Sequence, residues 1–146
     1  MTRSIIVDDV LPHSPAKVWK ALTTPDFIAA WLMPNDFKPE VGHGFTFRTR
    51  PIGDWDGVVH CVVTACEPNR LLRYTWKGGS DNNPGYGKAL DSIVTWELTP
   101  VEGGTRLHME HSGFVSPGND FAFDAMSGGW GKIVPRIAEV IAQKDG

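Results

Sequence analysis

Apolar and polar positions follow a helical period at both ends of the chain and a strand period between them. Near the start, Ser14-Pro15 and Thr24-Pro25 each place an N-cap residue before a proline suited to the first helical position. These signals predict two short helices, over residues 15–23 and 25–32. A long closing helix is predicted from apolar residues at helical spacing: Trp130, Ile133, Val134, Ile137, Ala138 and Ile141.

The region between Gly42 and Gly113 shows strand-like alternation and glycine-rich turns. Together with a first strand that precedes the helices, it predicts six strands: 3–11, 45–50, 56–67, 71–76, 90–99 and 105–111. Alternation places Tyr74 and Trp76 on one face and Arg73 on the other, so one face is apolar and aromatic and the other is solvated. Such a one-sided antiparallel sheet, covered by the closing helix, predicts an α+β domain that encloses an apolar pocket.

Pro135 falls inside the closing helical stretch, where it removes a backbone donor and collides with the carbonyl of Gly131. Gly128 and Gly129 weaken the same turn. We therefore expect the helix either to kink here or to break and restart near Pro135. With the glycine- and asparagine-rich loop 77–88, the segment 127–135 is predicted to form the entrance to the pocket.

Length and charge narrow the function classes. The 146 residues predict one domain, 1–146, and a net charge of −3 with scattered basic residues predicts no nucleic-acid partner. No apolar run approaches the ~20 residues of a membrane-spanning helix. Asp8 and Asp9 lie where a signal peptide would have its hydrophobic centre, so we expect a cytoplasmic protein.

The cysteines and histidines predict neither a disulfide nor a metal site. Cys61 and Cys66 are five residues apart in one predicted strand, so they point to opposite faces, roughly 16 Å apart along the backbone. They are predicted to be buried or half-buried thiols. The histidines lie in separate elements without metal-ligand spacing, and no glycine-rich loop opens a helix as a phosphate site would, so no cofactor is predicted.

Six segments in register resemble one family across essentially the whole chain. They are LPHSPAKVWKALTTPDFIAAWLMP, GHGFTFRTRP, EPNRLLRYTW, VTWELTP, GTRLHMEHSGF and the GW that opens the closing helix. The sequence resembles the AHSA1-like group, relatives of the activator of Hsp90 ATPase, within the START/Bet v 1-like (SRPBCC) superfamily of helix-grip proteins. The resemblance implies an antiparallel sheet of about seven strands gripping a long C-terminal helix around a hydrophobic cavity.

Three functions remain open. The first is non-enzymatic binding of a small hydrophobic or amphipathic molecule, and the second is a cyclase- or hydrolase-type enzyme with His111 and Tyr74 as its acid–base pair. The third is a co-chaperone-like module that would engage Hsp90 through the outer sheet face. The sequence also leaves open whether the protein forms a homodimer. We favour the first, since no catalytic set converges in the sequence, and expect these residues to bind the ligand: Trp31, Phe45, Phe47, Tyr74, Trp76, Trp96, Met109, His111, Trp130 and Val134.

His111 is the one titratable side chain predicted to point toward the apolar interior, because it shares a strand face with Met109 and Leu107. It could donate to a ligand oxygen or act as an acid or base. The alternative we favour is a histidine at the end of a strand, bonded to a backbone carbonyl. Tyr74 has the same ambiguity, because buried tyrosines normally find a hydrogen-bond partner within the protein.

Overall fold

The computed structural model describes residues 2–50, 56–78, 90–116 and 118–145. These form an α+β helix-grip domain, as predicted, with six antiparallel strands in the order β1-β6-β5-β4-β3-β2. The resemblance implied about seven strands; the described residues form six. The elements are β1 (Thr2–Leu11), α1 (Pro15–Thr23), α2 (Pro25–Trp31), β2 (Gly44–Arg48), β3 (Val58–Glu67), β4 (Leu71–Gly78), β5 (Leu90–Val101), β6 (Gly104–Val115) and α3 (Asp120–Asp145).

The two short helices begin where the proline signals predicted, but only one of the two predicted caps forms. The Ser14 hydroxyl accepts a hydrogen bond from the backbone N–H of Lys17 at 3.3 Å, so Ser14 caps α1. Thr24 makes no side-chain cap bond for α2, so that part of the prediction was wrong. Thr24 is both the C-cap of α1 and the N-cap of α2, and its backbone is extended. Pro25 follows at the first position of α2.

Helix α3 runs without interruption through Pro135, so the predicted break does not occur. Pro135 and Gly131 both lie on the exposed side of the helix. Water can therefore solvate the Gly131 carbonyl, which loses its partner when proline replaces an N–H donor. No described helix is both long and apolar enough to cross a membrane.

The sheet has one buried face and one solvated face, as the alternation predicted. β4 and β5 bury every second residue, and α3 packs mainly against α1, α2, β1 and β6. At the β2–β4 side of the sheet, the inward face carries the large aromatic side chains Phe45, Phe47, Tyr74 and Trp76. The hydrophobic core therefore lies between the inward face of the sheet and the three helices.

Strand β6 is four residues longer at its C-terminal end than predicted, because a bulge lets it continue. Arg3 pairs with Phe114 and Ser4 with Ser112, which leaves Gly113 as the extra residue, at φ +102°. An L side chain rarely adopts that conformation, so glycine is required there. The bulge reverses the alternation, and as a result Phe114 points inward and is buried.

Candidate functional site

All ten side chains predicted to bind a ligand are buried in the core, seven on the inward face of the sheet and three, Trp31, Trp130 and Val134, on α2 and α3. Each is at most 4% exposed. Eight carry rings that contact other rings, and we call these eight the aromatic cluster: Trp31, Phe45, Phe47, Tyr74, Trp76, Trp96, His111 and Trp130. Met109 lies opposite Trp96 in the ladder, and Val134 follows Trp130 by one turn of α3.

The aromatic cluster forms a continuous path of ring contacts from the edge of the sheet to the helices. Phe47 on β2 contacts Trp76 at a centroid distance of 5.3 Å, and Trp76 contacts Trp130 of α3 at 5.8 Å. Trp130 contacts Trp96 at 5.7 Å, and Trp96 contacts Trp31 of α2 at 5.6 Å. Most of these pairs are edge-to-face, the geometry in which the positive edge of one ring meets the negative face of another.

A chain of three hydrogen bonds joins α3 to the sheet inside this cluster. The indole N–H of Trp130 donates to His111 Nδ1 at 3.0 Å. Because an indole nitrogen only donates, Nδ1 is the acceptor, and the neutral ring must carry its hydrogen on Nε2. His111 Nε2–H therefore donates to Ser92 Oγ at 2.7 Å, and the Ser92 hydroxyl donates to the Trp76 carbonyl at 2.8 Å.

Burial lowers the pKa of His111 from 6.5 to about 3, since a charged imidazolium cannot be hydrated in this interior. The ring is neutral at physiological pH, and both of its nitrogens are occupied. The expectation that His111 ends a strand and bonds to a backbone carbonyl was wrong. β6 continues to Val115, and the partners of His111 are the side chains of Ser92 and Trp130.

Tyr74 lies on the same sheet face but has a different partner. The indole N–H of Trp96 donates to the Tyr74 phenol oxygen at 3.0 Å. Burial raises the pKa of Tyr74, so the phenol stays protonated. Tyr74 and His111 are therefore bonded to two different tryptophans.

Three residues of the site escaped the sequence prediction. Ser92 has an inward register, two residues before Val94, and that register was the available signal. Phe114 was missed because the bulge at Gly113 reverses the alternation; its ring lies 4.7 Å from that of His111. Phe37 belongs to an irregular connection without periodicity, and it contacts Phe45 at 5.0 Å and Tyr74 at 6.5 Å.

The outward face carries the charged residues. Arg106 and His108 both donate to the carboxylate of Asp8 across the β1–β6 pair, and the Arg106 hydrogen bond is the main reason that the pKa of Asp8 is lowered to about 2.

A cleft of about 430 Å³ lies on the same side of the sheet, bordered by β4 and β5, and is separate from the aromatic cluster. Its lining residues are Arg70, Leu71, Arg73, Glu97, Leu98, Thr99 and Pro100.

The thiols lie as predicted. Cys61 is buried, Cys66 is half-buried, and both are free. Burial raises the pKa of the Cys61 thiol, which is therefore an inert core residue. Within the described ranges, no group of three or more His, Cys, Asp or Glu side chains could hold a metal ion.

The chain was compared with known proteins. The family model described as activator of Hsp90 ATPase homolog 1-like protein matches residues 12–142. Protein MLL2253 from Mesorhizobium loti is 40% identical, with coverage of 99% of this chain and 100% of that one and a TM-score of 0.86. Protein BH1534 from Bacillus halodurans is 28% identical, with coverage of 97% and 99% and a TM-score of 0.74.

A third solved structure is the Aha1 dimer from Colwellia psychrerythraea, which is 21% identical, with 99% of each chain covered and a TM-score of 0.74. At that identity the likeness concerns the fold alone. A search of curated proteins found no significant match. The family match spans most of the chain and agrees with the helix-grip architecture, so the chain belongs to the family of activator of Hsp90 ATPase homolog 1-like proteins.

Proposed function

We propose that this protein binds a small hydrophobic or amphipathic molecule between the inward face of the sheet and helix α3. The aromatic cluster carries this proposal, because it gathers large rings from β2, β4, β5, β6, α2 and α3 beneath one helix. Apolar and aromatic walls with few polar groups are typical of small-molecule sites. Membership of the family and the helix-grip fold are compatible with ligand binding.

The polar groups of the cluster favour binding over acid–base catalysis. His111 is neutral, and both ring nitrogens are already hydrogen-bonded, so transferring a proton would require breaking one of those bonds. Tyr74 is bonded to Trp96, and burial raises its pKa away from the range useful for a base near pH 7. Ring contacts with a bound molecule would leave the hydrogen bonds of both side chains intact.

Native mass spectrometry of the protein purified from its own host tests the proposal directly. We expect a retained molecule that survives gentle ionisation and is released on denaturation. Extraction with organic solvent and mass analysis would then give its composition. A protein that carries no such molecule, and that also fails the titration below, would contradict the proposal.

The location of the site is tested with the neutral fluorophore N-phenyl-1-naphthylamine. We expect saturable one-to-one binding to the unmodified protein, and at least tenfold weaker binding to Val134→Phe, because the larger ring occupies ligand space. Val62→Phe is the matched control, since it makes the same substitution on the outward face, where Val62 is 42% exposed. Equal loss of affinity in both variants would place the site elsewhere.

We also propose that the segment 127–135 of α3 forms part of the entrance to this site. Residues 79–88 of the predicted loop lie outside the described residues, while Lys77 and Gly78 belong to β4. A Cβ at Gly129 or Gly131 would meet nothing within 4 Å, so alanine fits at both positions. These glycines lower helix stability without being required by packing, which supports a role in local opening.

Gly129→Ala and Gly131→Ala should each raise the free energy of unfolding by about 0.5–1 kcal/mol. Combined, they should slow both association and dissociation of N-phenyl-1-naphthylamine in stopped-flow experiments, because the stiffer helix opens less often. Glu139→Ala, at an exposed position beyond Pro135, is the control and should leave both rates unchanged. If hydrogen exchange finds residues 127–135 as protected as the central strands, and the glycine substitutions leave the association and dissociation rates unaltered, this segment does not form the entrance.

A further inference from the structure

The two edge strands of the described sheet differ in how their outer edges are covered. In the order β1-β6-β5-β4-β3-β2, both β1 and β2 have a strand neighbour on one side only. At β2, the Thr46 N–H donates to Asp36 Oδ1 at 2.6 Å, and the Arg48 N–H donates to the Pro34 carbonyl at 3.1 Å. Residues 34–36 therefore protect the β2 edge against pairing with a further strand.

Strand β1 turns every second pair of main-chain groups away from β6, toward its outer edge. A Cβ at Gly104 would collide with the Leu11 carbonyl oxygen, so this carbonyl points toward β6. Because the direction alternates along a strand, the N–H of Val10 points toward the outer edge. There it donates to the Asp9 carboxylate at 2.9 Å. The main-chain groups of the other even-numbered residues of β1 share this direction.

The edge-facing main-chain groups of Ser4, Ile6 and Asp8 have no strand or loop partner within the described residues. Such a row of donors and acceptors on an edge strand is a template for another strand. The neighbouring side chains add apolar area, since Ile6 is 58% exposed and Val10 is 56% exposed. A partner strand would therefore gain both main-chain hydrogen bonds and apolar contacts at this edge.

The charges of β1 favour a second copy of the same strand as this partner. In an antiparallel pair centred on Ile6, Arg3 of each copy lies opposite Asp9 of the other, and opposite charges at such positions attract. Arg3 already donates to Asp120 of its own chain at 2.7 Å, which fixes its position at the edge. Asp9 is half-buried, and its carboxylate forms no salt bridge within the described part of the chain.

Other registers lose this complementarity. A pair centred on Asp8 would place the two Asp8 carboxylates directly opposite each other, and like charges there are destabilising. A pair centred on Val7 would place Arg3 opposite Leu11, so Asp9 would lose its basic partner. The register centred on Ile6 therefore combines opposite charges with apolar contact between the two Ile6 side chains.

We propose that two copies of the chain pair through β1 in this register and join their six-stranded sheets into one antiparallel sheet. The two-fold axis passes through Ile6, so the same surface is used on both copies. About six main-chain hydrogen bonds form between Ser4, Ile6 and Asp8 and their counterparts. Because an edge strand buries little area, the dimer is weak and depends on protein concentration. The interface lies outside the aromatic cluster, so it does not depend on the proposed function.

Sedimentation velocity over a hundredfold range of protein concentration tests the dimer. We expect a reversible equilibrium between monomer and dimer for the unmodified protein. Ile6→Lys should weaken the dimer at least tenfold, because it places two ammonium groups at the axis. Ile93→Lys is the matched control: it makes the same change on β5, away from both edges, where Ile93 is 41% exposed, and should leave the dissociation constant within twofold.

Cross-linking tests the register, in a Cys66→Ser background that removes the half-buried native thiol. Ile6→Cys should form an intermolecular disulfide on mild oxidation, because directly opposite residues have Cα atoms about 5.5 Å apart, within disulfide range. Asp8→Cys is the control, since the two positions lie four residues apart along the paired strands, roughly 14 Å, and should not cross-link.

Each contrary outcome overturns the proposal. The unmodified protein could stay monomeric at every concentration, or Ile93→Lys could weaken a dimer as much as Ile6→Lys, which would place the interface on the outward face. Cross-linking through Asp8→Cys but not Ile6→Cys would refute the register and the charge argument. A different polypeptide that purifies with the protein and is released by Ile6→Lys would show that the β1 edge serves that partner instead of a second copy.

Discussion

Acidification from pH 6.5 to pH 3 should lower the free energy of unfolding by on the order of 4 kcal/mol through His111 alone. Burial depresses the pKa of His111 from 6.5 to about 3. Between these values the unfolded chain binds a proton at His111 and the folded protein does not, so stability falls as pH falls. The contribution is fully present above pH 6.5 and is lost progressively down to pH 3.

Protonation also changes the hydrogen bonds, because a charged His111 carries hydrogens on both nitrogens. Nδ1 could then no longer accept the Trp130 N–H, and α3 would lose this link to the sheet. Urea unfolding followed by tryptophan fluorescence at several pH values measures the effect. The pKa of Asp8 is lowered to about 2, so protonation of this carboxylate causes a further loss of stability only below about pH 4.

His111→Gln should be less stable at neutral pH and should show a much flatter pH dependence over this window. His60→Gln is the matched control, since His60 is exposed, and it should keep the slope of the unmodified protein. If His111→Gln and His60→Gln show the same slope, His111 is not the neutral buried group described above.

Trp96→Ala should lower the free energy of unfolding by about 3–5 kcal/mol, the usual cost of removing a large buried ring. Trp96 is fully buried and contacts both Trp31 and Trp130, so the vacated space borders α2, α3 and the sheet. The substitution also removes the N–H that Tyr74 accepts. Thermal and urea unfolding measure the loss.

Two further variants separate ring packing from the hydrogen bond. Trp96→Phe keeps part of the ring contact but removes the N–H donor, so it should lower the free energy of unfolding less than Trp96→Ala does. Trp19→Ala is the control for the size of the deletion, because Trp19 is only half-buried at the edge of the core. If Trp19→Ala and Trp96→Ala lower the free energy of unfolding equally, the aromatic cluster contributes no more to stability than a half-buried tryptophan at the edge of the core.

The elements with a simple local signal were predicted with small boundary errors. Ser14-Pro15 marks the start of α1 because the cap and the proline act on neighbouring backbone groups alone. β3 was predicted to start at Asp56 and begins at Val58, and β5 runs to Val101 rather than Thr99. Tyr74 and Trp76 could be assigned to the buried face because side chains alternate along a strand whatever lies across it.

Features that depend on a second element were not predictable. Gly113 forms a bulge because β1 and β6 pair in a shifted register, and no local pattern announces that shift. The partners of His111 lie 19 residues away in both directions, on β5 and α3. A strand pattern gives the face on which His111 lies, but not the groups it meets there.

The sequence by itself determined the order of helices and strands, the two-faced sheet and the family, because short-range periodicity, cap chemistry and turn residues carry that information. Tertiary structure alone decided the chemistry of the interior. Packing α3 onto the sheet pairs Trp130 with His111, and strand pairing brings Trp96 to Tyr74. Burial then sets which groups stay neutral, since desolvation depends on everything that surrounds a side chain.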